Sequence, residues 1–374
     1  AEAERVGSGH GCAMILANRE MGTFSISAAS SRECPQGGIH FLPPDAIYSG
    51  MPSADAASLR AGVDYPEDLS AFDRFFPDED ACERFLERLR WPNGFVCPGC
   101  GYAGEPWRSS RGPLCPRCRR RAYVTAGTIF EGTRKPLKLW FIAAWEVTGH
   151  KYGANALTLK RMLGVNSYQT AWAWLHKFRR AMVRPARDRL TGVVQIDESY
   201  VGGEEEGTHG RETYKKAIVV IAVEMREPKG FGRIRVKHVP DVSSARLTPF
   251  VCEAVEPGST VHTDGWRGYN HLAKHGYDRK ITVLSAGGDP AHVVMPGVHR
   301  VASLVKRWIL GTHHGSVQPG HLDAYLDEFV FRFNRRTSTS RGMLFYRLMQ
   351  QAVVTAPVTY RSVVEGLPSS PPSE

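Results

Sequence analysis

Gly192-Val193-Val194-Gln195-Ile196-Asp197-Glu198-Ser199-Tyr200-Val201-Gly202-Gly203 decides the reading of this chain. The run is apolar and β-branched, carries acids in its second half and closes on two glycines, so it reads as a buried strand ending in carboxylates. Downstream, Ala217-Ile218-Val219-Val220-Ile221-Ala222-Val223 is a second strong strand, and Arg233-Ile234-Arg235-Val236-Lys237-His238 alternates as a third. Residues Ser243 to Val255 suit a helix, and Ser259-Thr260-Val261-His262-Thr263-Asp264-Gly265-Trp266 is a short strand that delivers a second aspartate at its end.

Three antiparallel strands, a helix, then a strand bearing an acid is the element order of an RNase H core. The expected fold is therefore α/β, with an RNase H-like domain over residues 190–350. In that order Asp197 and Asp264 lie on adjacent strands and can share a divalent cation. Mg²⁺ and Mn²⁺ favour carboxylate and phosphate oxygens, and two such ions can activate an attacking oxygen and stabilise a leaving one. A single aspartate at a strand end is more often a cap, so the reading depends on both acids occupying these slots. Glu198 alternates to the opposite face from Asp197.

Outward toward the N-terminus, Cys97-Pro98-Gly99-Cys100 and Cys115-Pro116-Arg117-Cys118 form two CxxC units separated by 14 residues. Two such turns bring four thiolates to one structural Zn²⁺ in a zinc ribbon; an iron–sulfur or redox role is the alternative. Four thiolates with Zn²⁺ carry a formal charge of −2, which Arg117, Arg119, Arg120 and Arg121 can offset while some of them reach DNA phosphate. The preceding segment, Asp78 to Leu89, has acids in its first turn and apolar residues at helical spacing.

Between the cysteines and the sheet, residues 136–185 read as helical. One helix covers Leu137 to Thr148 and a second Ala154 to Leu163; after Gly164-Val165-Asn166, Ser167 is the expected N-cap of a third that runs toward Met182. A helix, a glycine-containing turn and a helix make a helix-turn-helix pattern whose second helix enters the major groove. Tyr168, Gln169, Thr170, His176, Lys177, Arg179 and Arg180 on that helix are the expected DNA contacts; plain helical packing is the alternative. Arg111 to Leu190 holds 17 Lys and Arg against Glu131, Glu146 and Asp188, a surplus of 14, whereas the whole chain is +10. Such a block favours a polyanion held through counterion release, the alternative being a solvated basic surface.

Residues 1 to about 60 are rich in Gly, Ala, Ser and Pro and read as a disordered extension, with Met51 the expected translation start; the tail 360–374 reads likewise. No apolar run approaches the roughly 20 residues that span a bilayer, and the expected compartment is the prokaryotic cytoplasm, in association with the nucleoid. Together these give a zinc ribbon with its preceding helix over 70–130, a helical segment over 136–185 and a catalytic domain over 190–350.

The sequence resembles the IS1595 group of transposases, in which an ISXO2-like DDE domain follows a transposase zinc ribbon. The likeness runs from about Phe75 to Val354. It is carried by the two CxxC units, by the stretch from Gln195 to Gly203, and by Thr263-Asp264-Gly265-Trp266-x2-Tyr269. It continues through His299-Arg300-Val301-x-Ser303-x2-Lys306-Arg307-Trp308-x2-Gly311-Thr312-His313-His314 and Tyr325-Leu326-Asp327-Glu328-Phe329-x-Phe331-Arg332-Phe333-Asn334-Arg335-Arg336. The resemblance implies a third metal ligand followed seven residues later by a lysine, slots that His299 and Lys306 fill as an Asp-Asp-His-Lys variant. Imidazole in place of carboxylate should favour Mn²⁺ relative to Mg²⁺; the alternative for His299 is a helix cap. It also implies double-stranded DNA partners (terminal inverted repeats and target), a homodimer or higher assembly, and strand cleavage and strand transfer. Within the block Phe331 to Arg336, the Phe residues are expected in the core, with Arg335 and Arg336 exposed along the DNA path. The rival expectations are a DNA-binding regulator that no longer cuts and an RNase H-like nuclease that cuts without joining.

Overall fold

The computed structural model describes residues 59–109, 112–184, 187–202, 216–228, 230–282, 291–315 and 317–365. The expected extension before residue 59, the acids Glu204, Glu205 and Glu206, and the tail beyond residue 365 lie outside them. Among the described residues no helix is long and apolar enough to cross a membrane.

A five-stranded mixed sheet is built from β1 (Val193–Val201), β2 (Ala217–Met225), β3 (Phe231–Val239), β4 (Thr260–Thr263) and β5 (Asp278–Ile281), in the order β3-β2-β1-β4-β5. β1 to β3 are antiparallel neighbours, and β4 and β5 run parallel to β1. This is the RNase H-like arrangement. Even-numbered β1 residues Val194 and Ile196 face helix α6 (Ser244–Ala254) in one core with Leu247 and Val251. The other face, through Val219, Ile221 and Val223 of β2, packs on α8 (Pro296–His313) and α9 (Leu322–Phe333), which follow the single-turn α7 (Ala291–Val294). β3 is an edge strand, and its exposed N–H groups are answered from α9: Ile234 donates to Asn334 Oδ1 at 2.7 Å and His238 to Asp323 Oδ1 at 2.8 Å. Such side-chain pairing removes an aggregation-prone edge.

The helical body comprises α1 (Leu69–Phe75), α2 (Glu79–Arg90), α3 (Leu137–Gly149), α4 (Ala156–Leu163), α5 (Tyr168–Ala181) and α10 (Arg341–Ala352), with the short α11 (Tyr360–Val364) beyond it. Its core is aromatic, with Phe76 packing edge-on to Phe85 and Phe141, and Trp140 stacked on Trp174 at 3.9 Å. The caps follow chemistry: Asp78 accepts from Ala81 N, and Asn155 from Thr158 N. Pro136 offers no cap to α3; instead the Glu79 carboxylate of α2 accepts the N–H groups of Leu137 and Lys138, a cap supplied from another helix. Gly164 ends α4 at φ +63°. Ser167 precedes α5 without capping it, its hydroxyl donating to Gln169 Oε1.

Two expectations are revised. Residues up to 350 were assigned to the catalytic domain, yet Phe345, Leu348 and Met349 of α10 lie in the helical core, and the Gly342 position is so close to the Pro66 carbonyl that no side chain fits. The chain thus leaves the helical body, builds the sheet and returns. Arg179, expected at DNA, is 1% exposed; its Nε meets Glu328 Oε2 at 2.9 Å and its guanidinium lies 3.8 Å from the centre of the Tyr325 ring. It joins α5 to α9. The turn after α3 completes the junction: the Tyr152 carbonyl accepts from Trp308 Nε1 at 2.9 Å, and Arg332 donates to the carbonyls of Val147 and His150.

Candidate active site and metal centre

Parallel pairing of β1 with β4 sets Val193 opposite Thr260, Val194 opposite Val261 and Gln195 opposite His262. The constant offset is 67 residues, and the same offset carries Asp197 to Asp264. The pairing ends at Gln195 and His262, so Asp197 on β1 and Asp264 just past β4 leave the same end of these neighbouring strands. Both are half-buried, and each is oriented by a backbone N–H: Asp197 Oδ1 accepts from Glu198 N, and Asp264 Oδ1 from Trp266 N, both at 2.9 Å.

A second layer fixes this corner. The Tyr269 hydroxyl donates to Glu198 Oε1 at 2.5 Å. Burial, then the Glu198 carboxylate, with smaller contributions from Asp197 and Asp264, pushes the Tyr269 hydroxyl well above its usual range, so it stays a donor. Glu198 accordingly faces away from Asp197, as strand alternation requires. Arg279 of β5 donates to Thr263 Oγ1 at 3.2 Å and to the carbonyls of Asp264 and Trp266, holding the loop that carries the second acid.

His299 and Lys306 both lie on α8. The helix starts over β1 because Gly297 N donates to the buried Gln195 Oε1 at 2.8 Å, and a side chain at 297 would collide with that oxygen. Seven residues separate His299 from Lys306, which places them on one face; His299 is half-buried and Lys306 exposed. Two carboxylates and an imidazole suit a hard or borderline divalent cation. Among the described residues, however, only the four cysteines bring three or more ligand-type side chains within 4.8 Å of one another; Asp197, Asp264 and His299 are not so gathered.

Cys97, Cys100, Cys115 and Cys118 have their sulfurs within 4.8 Å, with Cys97 to Cys118 and Cys100 to Cys115 each at 3.6 Å. Tetrahedral Zn–S bonds of about 2.3 Å imply sulfur separations of about 3.8 Å, so the cluster fits zinc. The two units are copies of one turn: Gly101 N donates to Cys97 O and Arg119 N to Cys115 O, each at 2.9 Å. The residue after each second cysteine is left-handed, Gly101 at φ +69° and Arg119 at φ +56°.

The expected DNA contacts divide. Arg119 and Arg120 are exposed on the ribbon, Arg121 donates to Ser109 Oγ, and Gln169 is exposed at the start of α5. Lys177 turns inward, its Nζ donating to the Ile129 carbonyl at 3.2 Å, and His176 is 5% exposed in the core. Arg180 is half-buried. Arg335 lies over the Phe331 ring, and Arg336 over Phe333 with its guanidinium on the carbonyls of Gly232 and Phe231. Gln195, Tyr269 and Arg279 had no assigned role. The available signal was a glutamine at an inward position of an otherwise apolar strand.

Two family models match the chain in order: the transposase zinc-ribbon domain over residues 77–121 and the ISXO2-like transposase domain over residues 189–334. An "uncharacterized protein in transposable element ISH50" of Halobacterium salinarum is 29% identical over 282 residues, 69% of this chain and 91% of that relative. An "uncharacterized transposase-like protein" of Haemophilus influenzae is 28% identical over 116 residues, 31% of this chain and 93% of that relative. Among solved structures, the catalytic core domain of BIV integrase aligns with 40% of this chain and 86% of its own length, at 12% identity and a TM-score of 0.26. With both domain types matched and a transposable-element relative spanning most of the chain, the protein belongs to the IS1595 group of insertion-sequence transposases.

Proposed function

We propose that this protein cuts DNA at the ends of an insertion sequence and joins the freed 3′ ends to target DNA. The observation that supports the reading is the parallel β1–β4 register, which ends at Gln195 opposite His262, two residues before Asp197 and two before Asp264. Asp197 and Asp264, with His299 as the third ligand, would hold Mg²⁺ or Mn²⁺. When bound, the cation supplies Lewis-acid activation of the attacking and leaving oxygens of an in-line displacement at phosphorus. The chain's own groups set the stage. The backbone N–H groups of Glu198 and Trp266 hold the two carboxylates in place, Gln195 fixes the start of α8, and Lys306 offers a cation to the phosphate. Hydrolysis and strand joining are the same displacement with different nucleophiles, so one site serves both without a covalent enzyme intermediate.

The zinc ribbon and the α4–α5 pair bind the terminal inverted repeats in this reading, through Arg119, Arg120 and Arg121 on phosphate and Gln169 at the exposed start of α5. Two ends must be cut together, which calls for a homodimer or larger assembly on DNA. A strand-transfer assay on a terminal-repeat oligonucleotide with Mg²⁺ or Mn²⁺ tests it. Nicked and joined products are expected from the native chain and neither from Asp197→Asn or Asp264→Asn. Nicking without joining would instead favour a nuclease, and binding without nicking a DNA-binding regulator.

A further inference from the structure

A cleft of about 280 Å³ runs along the edge strand β3, two strands away from β1 and its aspartate. Its walls come from three places: the segment leaving α5, strand β3 and the second half of α9. Five arginines line it (Arg184, Arg187, Arg233, Arg235 and Arg335) against two acids, Asp188 and Asp327. Both acids are already engaged: Asp188 lies 3.1 Å from Arg184 and 3.6 Å from Arg233, and Asp327 lies 3.9 Å from Arg187.

Arg235 and Arg335 form no ion pair among the described residues. Arg235 is 6% exposed, and its guanidinium donates to the carbonyls of Ile234 and Asp188. Arg335 donates to the Phe331 carbonyl at 3.1 Å and lies 3.9 Å from the centre of that residue's ring. Burial, and then neighbouring arginines, lower both guanidinium pKa values to about 10: Arg187 and Arg233 act on Arg235, Arg347 and Arg184 on Arg335. Arg184, Arg187 and Arg233 are ion-paired with Asp188, Asp327, Glu253 and Glu224, so the positive surplus of the cleft rests on Arg235 and Arg335, which an anion would offset. The planar, five-donor guanidinium also matches the oxygens of a phosphate in pairs. The volume sits near the lower end for small-molecule sites.

We propose that this cleft binds a phosphate group, either one of the DNA backbone or a free phosphate ion. The site is separate from the aspartates, and its test is a binding measurement that does not depend on whether the chain cuts DNA. Inorganic phosphate would be titrated into the full chain at constant ionic strength against chloride, followed by calorimetry and by the melting temperature. A duplex oligonucleotide would be titrated in parallel. Saturable phosphate binding is expected, weakened at least about tenfold in Arg335→Gln and in Arg187→Gln. Arg187 sits at the partly exposed wall, so its variant decides the matter should Arg335→Gln fail to fold. If duplex affinity falls alongside, with a salt slope lower by about one, the ligand is backbone phosphate. If duplex affinity is unchanged, it is free phosphate. No saturable phosphate binding by the native chain, or equal binding by Arg187→Gln, overturns the proposal.

Discussion

The four cysteines and the two aspartates proposed as metal ligands are positioned by opposite means. The four cysteines are gathered by two copies of one local turn, each closed by its own backbone hydrogen bond. The two aspartates are placed by the β1–β4 register, and His299 is carried on α8, whose first turn is received by a glutamine on β1. Local assembly needs only these two turns and the short bridges Trp107–Leu114 and Leu114–Arg121 between them. Assembly through the sheet makes the site a property of the whole domain.

That contrast can be broken first at the ribbon. Its own core is small, Phe95, Cys97, Cys115 and Ala122, so metal must supply most of its stability, on the order of 10 kcal/mol for a structural zinc site. Cys97→Ser or Cys118→Ser should unfold the module; retained zinc at one equivalent, measured by metal analysis, would refute this. At the sheet, Asp197→Asn or Asp264→Asn should lower DNA cleavage by about 10³-fold or more while duplex affinity stays within a few-fold.

Smaller effects probe how the two domains are joined. Glu328→Gln leaves Arg179 charged and buried, which should cost about 3 kcal/mol in chemical unfolding, whereas Arg179→Met with Glu328→Leu should recover most of it. An equal loss in the double variant would refute the link. His176, buried beside Arg179, His313 and His321, has its pKa lowered from 6.5 to about 2, first by burial and then by those neighbours. The folded ring is therefore neutral where the unfolded one is protonated. Its contribution is complete above pH 6.5 and is lost as pH falls from there toward 2, at up to about 1.4 kcal/mol per pH unit. His176→Phe should flatten that slope in thermal melts. Last, Arg119→Gly relieves a left-handed backbone and should raise ribbon stability by about 0.5 kcal/mol, the strain relief being partly offset by glycine's added chain entropy.

What could be read from the sequence follows the same division. The CxxC pairs and the β-branched strands are written in adjacent residues, and so is the element order of the sheet, with β4 beside β1. Gln195 and Tyr269 act across distances of 102 and 71 residues, which no local pattern encodes. Arg179 was misassigned because a count of basic residues does not show which of them meets Glu328 in the interior. Helix α10 was grouped with its sequence neighbours, although Phe345 completes an aromatic cluster begun at Phe72.

The return of α10 has a consequence during synthesis. A ribosome makes the chain from its N-terminus, so Phe72, Phe76 and Phe85 emerge some 260 residues before the helix that covers them. Until then the nascent helical body exposes sticky aromatic surface. A message cut short before the codon for Arg341 would therefore yield no half-working DNA binder, only a substrate for chaperones and proteases.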